Sequence, residues 1–109
     1  MAFDARLADR VRAELAGLDG VTEKRLFGGV AFFVSGNMAC GVHGRDLIVR
    51  LDPEAVEAAL AEPNTRVFDV TGRTMKGWLL VQPKGLVVPE LLARWVRRAV
   101  EFAATLPPK

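Results

Sequence analysis

The sequence predicts an α+β domain, a five-stranded antiparallel sheet with three helices in the order α-β-β-β-α-β-β-α. Three observations predict it. Apolar residues recur at helical spacing near the N-terminus and again after Pro89. Between those segments the period falls to that of strands, punctuated by Gly, Asn and Asp. Connections are short, with no long crossover between neighbouring strands. The 109 residues fit one domain, 1–109, and 50% hydrophobic against 26% charged residues excludes the composition of a disordered chain.

Each element has its own reason. From about Phe3 to Leu18, the residues Phe3, Leu7, Val11 and Leu15 form one stripe on a helix, which Gly17, Asp19 and Gly20 close. Arg25 to Val34 reads as a strand with Phe27 and Phe33 on one face and Val30 and Phe32 on the other. Ser35, Gly36 and Asn37 turn the chain into a short strand from Met38 to His43, and Gly44, Arg45 and Asp46 turn it into Leu47 to Leu51. Asp52, Pro53 and Glu54 start a helix that runs to about Glu62, because Asp52 can accept from free amides and Pro53 has none to lose. Val67 to Thr71 and Met75 to Gln82 read as a second hairpin around Gly72 and Arg73. After Pro89, the residues Leu91, Leu92, Trp95, Ala99, Phe102 and Leu106 mark a long helix that Pro107 and Pro108 stop.

Composition narrows the function classes. No apolar run reaches the ~18 residues of a membrane span, and charges interrupt the N-terminal segment where a signal peptide needs an apolar stretch, so a soluble cytoplasmic protein is expected. One cysteine, Cys40, and one histidine, His43, exclude an intramolecular disulfide and multi-histidine metal centres. As a thiol and imidazole pair they have the chemistry of an activated nucleophile. Their spacing puts them on opposite faces of a regular strand, so Cys40 is expected to be a buried small hydrophobe. Asp46, Asp52, Asp69 and Glu90 sit where capping or turns explain them. Gly41-Val42-His43-Gly44 is flanked by strands and not by the helices of a nucleic-acid GxxG loop. Neither a Walker loop nor a dinucleotide fingerprint occurs. No catalytic residue, metal or cofactor is therefore expected.

Two cationic groupings remain. Arg73, Lys76 and Trp78 around the second hairpin place cations beside an indole, a combination suited to a base or to a protein anchor. Arg94, Arg97 and Arg98, with Glu101, form a mostly basic stripe on the last helix, opposite Trp95, Ala99 and Phe102. A net charge of +2 predicts weak or indirect, salt-sensitive DNA association.

Longer phrases are more specific than these fragments. Leu26-Phe27-Gly28-Gly29-Val30-Ala31-Phe32, Gly36-Asn37-Met38 with Gly41, Leu47-Ile48-Val49-Arg50, and Gly72-Arg73 followed by Met75-Lys76-Gly77-Trp78 resemble the N-terminal domain of the TfoX/Sxy competence-regulator family over nearly the whole chain. The resemblance implies a small α+β domain of a bacterial regulator. In two-domain members it also implies activation of DNA-uptake genes together with the cyclic-AMP receptor protein. The chain carries no counterpart of the second, helical domain, so a stand-alone domain is expected, and the resemblance supplies no catalytic residues.

Two function classes follow. The first is a non-enzymatic regulatory module that binds a protein partner, with the transcription machinery or a second copy of the chain as candidates. The alternative is a small ligand-binding domain or enzyme with a pocket near Cys40, His43 or Trp78. Both apolar parities of the strands call for cover on two sheet faces, and an uncovered patch beside Trp78 would serve the first class.

Overall fold

The computed structural model describes residues 3–26, 28–69 and 76–109. Arg73 and the expected strand ends between 70 and 75 lie outside the described residues. Ten elements follow one another: helix α1 (Ala5–Leu15), strands β1 (Val21–Leu26), β2 (Gly29–Val34), β3 (Asn37–His43) and β4 (Asp46–Arg50), helix α2 (Pro53–Leu60), strands β5 (Thr65–Val67) and β6 (Trp78–Val81), a 3₁₀ turn (Pro83–Leu86) and helix α3 (Pro89–Ala104). The expected α+β class and antiparallel sheet are correct. The sheet has six strands in the order β1-β2-β3-β4-β6-β5.

The sixth strand corrects the reading of Arg25 to Val34 as a single strand. The chain reverses after Leu26, with Gly28 at φ 74°, and Leu26 then pairs with Gly29. A Cβ at Gly29 would run into the Val42 carbonyl oxygen, so the second glycine permits the close approach of β3. Beyond its half-buried Val21, β1 is exposed throughout, and an edge strand without a buried face has no apolar alternation to betray it.

The ends of the other elements shift by a few residues for identifiable reasons. Asp4 accepts hydrogen bonds from the Arg6 and Leu7 amides at 2.9 and 3.1 Å, so α1 starts after Phe3 and buries Leu7, Ala8, Val11 and Leu15. Asp52 accepts from the Glu54 amide at 3.0 Å with Pro53 at the first helical position, as expected. In α3 the buried stripe is Leu92, Trp95, Val96, Ala99 and Ala103, which turns Leu91 outward. β5 and β6 pair as antiparallel strands, with β5 starting two residues earlier than expected and ending at Val67, and β6 lies between β5 and β4.

All three helices pack on one face of the sheet. Their buried residues join Val30, Phe32, Cys40, Val42, Leu47, Val49, Leu79 and Val81 in a single core. The register slips between Phe32 and Phe33, which pair with Cys40 and Met38 respectively. The extra residue on β3 lets both Ala39 and Cys40 reach that core. The opposite face holds a second, smaller cluster of Ile48, Phe68 and Leu80, with Met38 and Trp78 packed against it. Of the cover called for on two faces, helices supply one, and on the other, among the described residues, Phe68 buries Ile48 and Leu80 and leaves Phe33, Met38 and Trp78 half-buried.

The β2–β3 turn, the C-terminal end of β4 and the N-terminal end of β6 share one end of the sheet, and α3 finishes there. The Asn37 Nδ2 amide donates to the Pro107 carbonyl at 2.9 Å, and the Lys109 amide donates to the Ser35 carbonyl at 2.8 Å. Among the described residues no helix is long and apolar enough to cross a membrane.

Candidate functional site

Cys40 lies in the helix-covered core with no exposed surface, and desolvation pushes its thiol up to about 12. His43 is half-buried and, from the strand register, points to the other face. A thiol held neutral and an imidazole on the far side of the same strand cannot act as a nucleophile and its base. Among the described residues no three His, Cys, Asp or Glu side chains gather closely enough to hold a metal ion.

The arginines of α3 separate into two groups. Arg94 and Arg98, one helical turn apart, both grip Glu62 just beyond α2, at 3.2 and 2.9 Å. The Arg98 guanidinium also lies 4.4 Å from the Trp95 ring centroid. Two of the three stripe cations therefore tie α3 to the α2 end. Arg97 makes no ion pair among the described residues and lines a shallow groove of about 280 Å³ with Glu14 and Glu101.

Trp78 organises the most concentrated set of aromatic and cationic groups. It opens β6 opposite Arg50, the last residue of β4, so their side chains share one face at the end of the sheet. The Arg50 guanidinium carbon lies 5.2 Å from the Trp78 centroid and 5.7 Å from that of Phe102, near the end of α3. Such contacts contribute about 0.5–1 kcal/mol each at exposed sites and more where water is excluded. Arg50 Nη1 donates to the Met38 carbonyl at 3.3 Å. The Phe68 ring packs against Trp78 at 5.8 Å, tilted by 34°. Trp78, half-buried, also lines an open groove of about 440 Å³ between α2 and the β5–β6 hairpin, with Val56, Leu60 and Val67 inside it and Lys76, Glu54 and Glu57 contributing charge.

The structure places Lys76 and Trp78 on the same groove and surrounds Trp78 with Arg50 and Phe68, with Phe102 beyond Arg50. Arg50 stands in the sequence as the cation ending an apolar run, Leu47-Ile48-Val49-Arg50, and nothing local couples it to Trp78, 28 positions later. The coupling comes from β4 pairing with β6 and from α3 ending at that edge of the sheet. Further along the same face, Lys24 Nζ lies 5.6 Å from the half-buried Phe33 ring.

Neither the curated proteins nor the solved structures contain a match to this chain. The family model described as TfoX N-terminal domain matches residues 13–103. That span includes the whole sheet, α2, nearly all of α3 and every residue around Trp78. With its antiparallel sheet, its Gly28-Gly29 turn and the Lys76-Gly77-Trp78 entry to β6 inside the matched span, the chain belongs to the TfoX N-terminal domain family.

Proposed function

We propose that this domain is a non-enzymatic protein-interaction module in bacterial gene regulation, of the kind the family's competence regulators use in the cytoplasm, and that it engages its partner through the helix-free face of the sheet. One observation carries the reading: all three helices lie on one face, while Phe33, Met38 and Trp78 remain half-buried on the other. Apolar and aromatic side chains held on a rigid sheet and left partly open to water are what protein partners bury. The deep burial of Cys40 supports the same reading, since it removes the chain's one thiol from solution chemistry.

The test is affinity capture from extract of the native cell, run with and without nuclease, using the wild-type chain and Phe33→Asp. Circular dichroism establishes that the variant is folded. The expected result is a protein retained after nuclease treatment by the wild type and released by Phe33→Asp. Equal retention by the variant, or loss of everything with nuclease, counts against the proposal. A small-ligand site is the second reading, favoured by the groove of about 440 Å³ beside Trp78. It predicts a saturable change in tryptophan fluorescence with a low-molecular-weight fraction of the same extract.

A further inference from the structure

We propose that Arg50 is the receptor for a carboxylate of an acidic peptide segment in the partner protein. The inference rests on the interaction-module reading and specifies its chemistry.

Arg50 is a half-buried cation without a counterion among the described residues. It makes no ion pair among the described residues, and residues 70–75 contain no acidic side chain to provide one. Asp46 on β4 and Asp69 after β5 are both held by Arg66, at 3.1 and 3.7 Å. Asp52 is committed to the α2 amide. The guanidinium is meanwhile fixed between two aromatic rings and one carbonyl, so the entropy of ordering a long side chain is largely spent before any ligand arrives. Among the described residues only one of its five N–H donors has a protein acceptor, and the rest of the planar fork matches the two oxygens of a carboxylate.

The surroundings select among anions. A stacked nucleobase needs a vacant ring face, but Trp78 already has Arg50 and Phe68 as neighbours, and the Phe33 ring has Lys24. A net charge of +2 also neutralises few phosphates of a strand. An acidic peptide with apolar residues fits better, because on this face the half-buried Phe33 and Met38 adjoin Lys24 and Arg50, neither of which has a carboxylate partner among the described residues. Glu54 and Glu57 repel such a segment from the α2 groove and so direct it along the sheet, from Arg50 toward Lys24.

The experiment uses the whole chain labelled with ¹⁵N and follows the arginine Nε–H and indole N–H signals. The probes are a short peptide alternating glutamate with leucine, its glutamine counterpart, inorganic phosphate and oligothymidylate. The glutamate peptide is expected to shift the Arg50 and Trp78 signals saturably and the glutamine peptide to leave them in place. Arg50→Lys, which keeps the charge but loses the fork, should weaken the peptide about tenfold. Arg50→Met should abolish binding while its thermal midpoint reports that the fold survives. Equal binding of the glutamine peptide, displacement of the glutamate peptide by phosphate or oligothymidylate, or absence of any shift overturns the proposal. If Arg50→Met still captures the same partner from extract that Phe33→Asp releases, the interaction module stands and the role of Arg50 falls.

Discussion

Leu79 and Leu80 are neighbours on β6, neither has exposed surface, and they belong to different halves of the molecule. Among the described residues, Leu79 points beneath the helices into a core of twenty-one buried residues, whereas Leu80 joins Ile48 and Phe68 in a cluster of three. Equal burial therefore conceals unequal surroundings. The helix side is locked by elements from both ends of the chain, and on the other side, among the described residues, Phe68 with Trp78 and Met38 gives the cover. The first arrangement suits stability. The second leaves side chains at its border free to meet something else.

The sharpest way to break this contrast is to truncate both leucines. Leu79→Ala should cost about 4–5 kcal/mol, the upper end for a leucine cavity, because three helices and five other strands cannot all shift inward. Leu80→Ala should cost about 2–3 kcal/mol, since Phe68 can settle into the space. Urea denaturation of the two variants measures both, and equal costs would mean that the two faces are packed alike.

Cys40 sharpens the comparison by reporting how dry the helix side is. Its folded pKa is raised to about 12, while an unfolded thiol ionises near pH ~8.5. Above that pH the unfolded state releases a proton that the folded state retains, so stability falls as pH rises toward the folded value, by about 1.4 kcal/mol per pH unit at most. The difference in stability between wild type and Cys40→Ala, followed from neutral to alkaline pH, isolates this contribution. The same burial predicts that a thiol reagent labels Cys40 only as fast as the protein unfolds.

The smallest expected effect concerns how α2 is held. Glu62→Gln weakens both the Arg94 and Arg98 contacts on half-exposed groups and should cost about 0.5–1 kcal/mol, less at high salt. Arg97→Ala, with no ion pair among the described residues to lose, should stay within about 0.5 kcal/mol of wild type. Thermal midpoints at low and high salt distinguish the two.

The sequence carried the helices well because each has a cap or a proline at its start, Asp4, Asp52 with Pro53, or Pro89, and α1 and α3 add a repeating buried stripe, Leu7 with Val11 and Leu92 with Trp95. It concealed β1, whose exposed residues from Thr22 to Leu26 look the same in a loop and at a sheet edge. The site was half legible. Lys76 and Trp78 could be named from a local phrase, but Arg50 and Phe102 reach Trp78 only through strand order and the position where α3 ends. Glu62 was hidden for the same reason: its partners Arg94 and Arg98 are more than thirty positions away, and helical spacing suggested Glu101 in its place.

The one-sided helix layer also dictates a timetable. β1 to β4 form a meander of sequence neighbours that can pair as soon as each hairpin is made, but the helix that covers β2, β3 and β4 is α3, the last of these elements to leave the ribosome. Until Leu92 to Ala103 are synthesised, Phe32, Val42, Leu47 and Val49 have only α1 and α2 for shelter from water. For the length of translation between Arg50 and α3, the nascent chain presents an apolar sheet surface, and that interval is when a holdase chaperone has most to bind and when neighbouring nascent chains are most prone to associate.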